Sequence, residues 1–274
     1  MRCVFGEPSR TADGTAVTAA ARIGPSRGLG RTTTAVTQHG LGRAGYVLCA
    51  DALVRIAFAG RDVGMRSVQT VVAPVAAVLA VVVYALMWLG FHCRWGWLAW
   101  LDRSSLQVFY DVGLKHPVWI RFWDSVCTVF GPNAFRLLGA VAVVVALAKH
   151  RLRVALFLVA TMECSGLITE IAKLAAHRPR PVTTLSNASS WSFPSGHALG
   201  VMVCVLALLI VLVPVLSHWM RVVTVALSAL IIAAVGFGRV ALNAHHVSDV
   251  LAGWALGYVY FLLCFLAFRP LRRN

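Results

Sequence analysis

An all-α membrane protein that crosses the bilayer six times is what this sequence predicts. Three observations point there: 59% of its 274 residues are hydrophobic, only 13% are charged, and the apolar residues gather into long runs. Mean hydropathy is +0.77. A soluble domain of this composition could not cover its apolar surface with polar groups. A helix rises about 1.5 Å per residue, so crossing a hydrocarbon core about 30 Å thick takes roughly 20 apolar residues.

Residues 1–64 differ from the rest, being rich in Ala, Gly, Thr and Arg with no long apolar run. The best stretch, Tyr46–Gly60, is interrupted by Asp51 and Arg55 and is not counted as a span. No apolar h-region with a small-residue cleavage site marks a secretory signal, while the Arg-rich, acid-poor composition is also that of an organellar transit peptide. The expectation is a disordered tail, or residues upstream of a true start at Met65. Residues 65–274 then form the membrane domain. Its six apolar segments are Val71–Leu89, Asn133–Ala148, Val154–Ala176, Ala198–Val215, Val222–Val240 and Val250–Phe268, the second being the shortest.

An even number of spans puts both ends of the domain on one side. Orientation follows from Lys and Arg in the short connections. One side carries Arg61, Arg66, Lys149, Arg151, Arg153, Arg221, Arg269, Arg272 and Arg273, and is expected to be cytoplasmic. The other side holds a long first loop in which Arg94, Arg103, Lys115 and Arg121 mix with Asp102, Asp111 and Asp124. Trp95, Trp97, Trp100, Trp119 and Trp123 in that loop suit the headgroup layer, so part of it is expected to lie along the membrane surface as an aromatic belt. Cys93 and Cys127 also fall in this loop and would pair in an oxidising compartment; no cysteine spacing suggests a metal site. The net charge of +15 does not point to nucleic acid, because the basic residues flank apolar runs and no nucleic-acid motif accompanies them.

Three short segments are brought by this topology to the face opposite the cytoplasmic one. They are KLAAHRPRP from Lys173 to Pro181, PSGH from Pro194 to His197, and GRVALNAHHVSD from Gly238 to Asp249. A single Lys or Arg at a helix end commonly snorkels to the interface. Lys173, Arg180 and Arg239 together would repel one another unless an anion sits among them. Arg suits phosphate through its planar fork, and Lys adds a mobile point charge. Pro194 and Ser195 read as a helix start, whose free N–H groups and positive dipole favour an anion, and Gly196 lets the backbone approach it closely.

His245 and Asp249 are four apart, which on a helix is one face. A carboxylate accepting from one imidazole nitrogen fixes the tautomer and leaves the other nitrogen free to attack. His245 would attack phosphorus while Lys173, Arg180, Arg239 and the Ser195 and Gly196 amides hold the oxygens. His197 would protonate the leaving oxygen and then activate water. Glu163 and Glu170, seven apart in the third segment, are expected to neutralise Lys173 rather than take part in chemistry.

These residues resemble the motifs of the type 2 phosphatidic acid phosphatase superfamily, the lipid phosphate phosphatases, whose pattern is K-x6-RP, PSGH and SR-x5-H-x3-D. Lys173, Arg180 and Pro181 meet the first, and Pro194, Ser195, Gly196 and His197 the second. Arg239, His245 and Asp249 meet the third, with Gly238 replacing the serine and removing a hydroxyl that would help bind phosphate; His246 is left without a role.

The resemblance implies a six-helix bundle with an extracytoplasmic site in the plasma (inner) membrane. It also implies no metal or other cofactor, and a lipid phosphate as substrate: phosphatidate, phosphatidylglycerophosphate or polyprenyl diphosphate. For a bacterial source, size and loop economy put polyprenyl diphosphate first. Oligomeric state is not legible. The competing expectations are a metal-dependent hydrolase using His197, His245, His246 and Asp249, a non-catalytic binder of lipid phosphates, and a vanadate haloperoxidase, which six spans argue against.

Overall fold

Helices account for all the regular structure among the residues that the computed structural model describes, 74–185 and 190–271. The expected tail 1–64, Met65 and the first residues of the first apolar segment lie outside them. In order come α1 (Pro74–His92), α2 (Gly96–Lys115), α3 (Pro117–Val129), α4 (Pro132–Ala148), α5 (Leu152–Leu158) and a π-helical turn (Val159–Glu163). Then follow α6 (Ser165–Ala176), α7 (Gly196–Leu212), α8 (His218–Ala241) and α9 (Val247–Phe268).

Six stretches are long and apolar enough to cross a membrane: Pro74–His92, Pro117–Ala148, Leu152–Ala176, Gly196–Val215, His218–Ala241 and Val247–Phe268. The protein is an integral membrane protein of all-α class. Five of these stretches match the expected segments closely. The second is much longer than expected. At 32 residues it would reach about 48 Å if straight, well beyond the hydrocarbon core. Arg121 and Asp124 interrupt the apolar run on α3 and hid its helical character in the sequence. The expected long loop is therefore two helices, α2 and α3; Pro117 opens α3, and Pro132 opens α4 after Gly131.

The central helix is α7, whose hydropathy of 3.0 is the highest of the six stretches. It packs on α9 through small residues, the way membrane helices approach closely without a hydrophobic driving force. A Cβ at Gly253 would lie 2.7 Å from the Ser195 carbonyl oxygen, and one at Gly257 3.0 Å from that of Leu199. On another side Gly200 admits Pro132, which would sit 2.7 Å from a Cβ there.

The π turn in the third span frees backbone carbonyls that no water can reach in a bilayer core. Side chains answer them. Tyr260 Oη donates to Ala160 O at 2.6 Å, and Ser165 Oγ to Met162 O at 2.7 Å.

The tryptophans divide. Trp97 and Trp100 face outward, as a belt requires. Trp119 and Trp123 instead pack with Phe237 of α8, their ring centroids 6.4 and 4.8 Å from it. The expected Cys93–Cys127 pair does not form: both are free, Cys93 exposed and Cys127 buried. Cys127 lies against α8, where its thiol faces Val235 O at 3.8 Å and the Cα side of Gly238.

Candidate active site

The end of α6, the start of α7, the end of α8 and the α8–α9 turn meet at one end of the bundle. Arg180, just beyond α6, donates through Nε to Ser190 O at 2.7 Å and through Nη1 to Ala244 O at 2.8 Å. The same Nη1 lies 3.2 Å from His245 Nε2. Lys173 in the last turn of α6 is buried, yet its Nζ reaches Glu170 at 2.9 Å and Ser190 Oγ at 3.0 Å. Glu170 thus neutralises the lysine as expected, whereas Glu163 stays exposed at the end of the π turn.

Ser195 caps α7, its Oγ accepting from Ala198 N at 3.5 Å. Its own N–H donates to Asp249 O at 2.9 Å. That corrects one expectation: the Ser195 amide is taken within the chain, and only its hydroxyl proton is left for a ligand. Gly196 opens the helix beside Lys173, whose Nζ would lie 3.9 Å from a Cβ at that position. His197 follows, partly exposed and within electrostatic range of Arg239, His245, Arg180 and Lys173.

Arg239 sits in the last turn of α8 and is 6% exposed, with its Nε lacking any hydrogen-bond partner among the described residues. A buried guanidinium with an idle donor is costly unless an anion completes it. Cys127 of α3 lies beside its head. Gly238 does not face the site. A Cβ there would meet Cys127 Sγ at 2.7 Å and Trp123 Cε3 at 3.1 Å. The loss of a phosphate-binding hydroxyl expected at this position is therefore reread as a packing requirement between α3 and α8.

The pairing of His245 with Asp249 also differs from the one-face expectation. His245 precedes α9 rather than riding on it, and its Nδ1 is 3.6 Å from Asp249 Oδ2. Ser192 bridges the gap. Its Oγ donates to Asp249 Oδ2 at 2.5 Å and lies 3.5 Å from His245 Nδ1. Nδ1 therefore carries the proton and turns to the acidic side, leaving the Nε2 lone pair toward Arg180. His246 gains the role that the sequence left open: it is the N-cap of α9, its N–H donating to Asp249 Oδ2 at 2.9 Å and its Nδ1 3.1 Å from the same oxygen.

Burial drives the His245 imidazole down to about 4; the hydrogen bond and charge of Asp249 oppose this, and Arg239 and Arg180 add to it. Burial, then the Arg239 charge, likewise lowers the Arg180 guanidinium from its ordinary value. The ring of His245 is thus neutral at physiological pH, as an attacking nitrogen must be.

Sequence reasoning missed Arg178, Asp102, Ser192 and Ser248. Arg178 is buried and donates to Asp249 Oδ1 at 2.6 Å, Ser248 Oγ at 2.7 Å and Asp102 Oδ2 at 2.8 Å. Its only signal was a second arginine in the HRPRP run. For Asp102 the signal was stronger, since Leu98, Asp102 and Leu106 share the buried face of α2 at helical spacing. Among the described residues no three His, Cys, Asp or Glu side chains are grouped as a metal site would need.

Residues 154–273 match the PAP2 superfamily. Over 102 residues the chain is 36% identical to phosphatidylglycerophosphatase B of Bacillus subtilis (strain 168), covering 35% of this chain and 49% of that protein. It thus spans about half the length of this curated relative. Its fold is similar to the crystal structure of the first transmembrane PAP2 type phosphatidylglycerolphosphate phosphatase from Bacillus subtilis, with a TM-score of 0.59 at 21% identity, over 72% of this chain and 98% of that one. All three motif segments fall within residues 154–273, the part of the chain that matches the PAP2 superfamily.

Proposed function

We propose that this protein is a membrane phosphatase that hydrolyses a lipid phosphate or diphosphate through a phosphohistidine on His245. One observation carries the reading: Lys173 and Arg180 from one segment and Arg239 from another all lie within electrostatic range of His197, as does His245. Among the described residues only Lys173 of the three meets a carboxylate, Glu170, so the group is short of negative charge, and the idle Nε of buried Arg239 supports the same reading.

In the reaction, the Nε2 lone pair of His245 displaces Arg180 Nη1 and forms the N–P bond. The P–O bond to the lipid breaks, and its electron pair goes to the leaving oxygen, which takes a proton from His197. A water then gives its proton to His197 as its oxygen bonds phosphorus; the N–P bond breaks, and the pair returns to Nε2. Lys173, Arg180, Arg239, the Gly196 amide and the Ser195 hydroxyl hold the phosphoryl oxygens, since phosphoryl transfer is mainly a matter of position and charge. Asp249, through Ser192, holds the His245 tautomer.

Among substrates, the likeness to phosphatidylglycerophosphatase B puts phosphatidylglycerophosphate first, ahead of the polyprenyl diphosphate expected from size. The site faces away from the cytoplasm, with the basic connections after α4 and α7 on the inner side. The reaction needs no metal on this reading, because His246 and Asp249 are engaged with each other as a helix cap.

The test is phosphate release by purified protein in detergent from phosphatidylglycerophosphate, phosphatidate and polyprenyl diphosphate, with and without chelator. Release that survives chelator and vanishes in His245→Ala is expected. Loss in chelator with recovery on added zinc would support a metal hydrolase, and lipid binding without any turnover would support a binder.

A further inference from the structure

Asp102 belongs to none of the three motif segments, yet it reaches into the site from α2 and is 3% exposed. Its Oδ1 accepts from Ser248 N at 3.1 Å, and its Oδ2 from Ser248 Oγ at 2.6 Å and from Arg178 Nη2 at 2.8 Å. Every contact is with a donor, so the side chain is held as a carboxylate. Arg178 gives its other arm to Asp249 at 2.6 Å and stacks over the Phe91 ring, 4.6 Å from its centroid. One guanidinium is thus shared by two buried carboxylates. If Arg178 paired with Asp249 alone, the two charges would cancel beside the imidazole. Held between both, the cluster keeps one net negative charge, and the Ser192 bridge carries it to Nδ1.

Resting on the phosphohistidine reading, we propose that Asp102 is a remote positioning residue for His245: by sharing Arg178 it leaves one uncancelled negative charge on the Nδ1 side, where positive charge accumulates as Nε2 bonds phosphorus. The bond-making is that given above; Asp102 and Arg178 neither gain nor lose a proton in it. Arg180 lies at Nε2, the Arg239 charge also acts on the ring, His197 is a further titratable group within range, and His246 acts through Asp249. The ring therefore has Arg180 at one nitrogen and the acidic cluster, through Ser192, at the other, and Asp102 sets the charge of the acidic end.

Changing the cluster charge one step at a time in full-length protein tests this. Asp102→Asn makes the cluster neutral, Arg178→Gln leaves it with two negative charges, and the double variant restores one. The readout is the titration midpoint of the His245 ring, followed by NMR on protein with labelled histidine and assigned with His245→Gln, beside kcat and KM for whichever lipid phosphate the wild type turns over. The midpoint should fall by about one pH unit in Asp102→Asn, rise by a similar amount in Arg178→Gln and return in the double variant. In Asp102→Asn kcat should drop roughly tenfold or more, with KM within about twofold.

A midpoint that ignores the charge steps overturns the proposal, as does an unchanged kcat in Asp102→Asn. A double variant as displaced as Asp102→Asn means a brace with no electrostatic part, and overturns it too. Either single variant that folds reports the sign of its step. The midpoints need no turnover, so a wild type that releases no phosphate sinks the phosphatase reading without obscuring the charge link.

Discussion

The buried Nε of Arg239 meets no acceptor within the described chain. A charge-assisted hydrogen bond contributes about 1.5–3 kcal/mol, so Arg239→Gln should lower kcat/KM by roughly tenfold to a hundredfold. Inhibition by inorganic phosphate should weaken in parallel; a variant with lower turnover but undiminished phosphate inhibition would remove Arg239 from the anion site. His245 makes the second prediction. In the proposed reaction only its neutral ring attacks, and burial holds it at about 4. The acidic limb of kcat/KM should therefore lie near pH 4, with activity rising as pH increases through that value and no further gain from this group above it. The unfolded ring titrates near 6.5, so the unfolded chain binds more protons than the folded one between there and about 4. This group's contribution to stability accordingly declines on acidification across that window. Profiles of kcat/KM against pH, with His245 protonation followed independently, would show whether the limb belongs to this ring.

At the scale of elements, the contact of α3 with α8 decides what position 238 can be. Restoring the motif serine with Gly238→Ser puts a Cβ 2.7 Å from Cys127 Sγ and 3.1 Å from Trp123. Overpacking of this kind costs about 1–3 kcal/mol, and the strain falls one residue from Arg239. Gly238→Ser should lower both the thermal midpoint in detergent and kcat, and Cys127→Ala added to it should recover most of each. A serine variant as stable and active as the wild type would show that α3 yields easily there. The π turn is a second case of elements adjusting to one another, since Tyr260 on α9 supplies a donor to a carbonyl that the α-helical pattern would have used itself.

For the whole molecule, the open prediction is direction across the bilayer. Cys93 is exposed just beyond α1, at the end of that helix nearer α2. If the site faces outward, a membrane-impermeant maleimide added to intact cells should label the protein, and Cys93→Ser should abolish the labelling. Labelling that needs permeabilised cells would place the site on the cytoplasmic side. Much of this architecture was legible beforehand, because span length and the charge of connections are properties of contiguous sequence. Five of the six spans and the helix start at Ser195 were read that way. Helix α3 was not, because Arg121 and Asp124 broke its apolar run in one dimension, while in three Cys127 is buried and Ile120 and Trp123 pack beside it.

By itself the sequence determined a six-span all-α chain, the three motif segments, and the residue types that meet at the site, since hydrophobic length, helix-start chemistry and motif spacing are local. Only the tertiary structure decided which group serves which. It inserted Ser192 between His245 and Asp249, turned His246 into a cap and Gly238 toward α3, and joined Asp102 to Ser248 across 146 positions of chain and Arg178 to Asp249 across 71. Partnerships over such separations depend on which helix faces pack together, and no spacing within a segment encodes that. The reason is electrostatic as well as geometric: a buried charge takes whatever counter-charge the fold brings near, because leaving it alone in a low-dielectric interior costs more than any local preference.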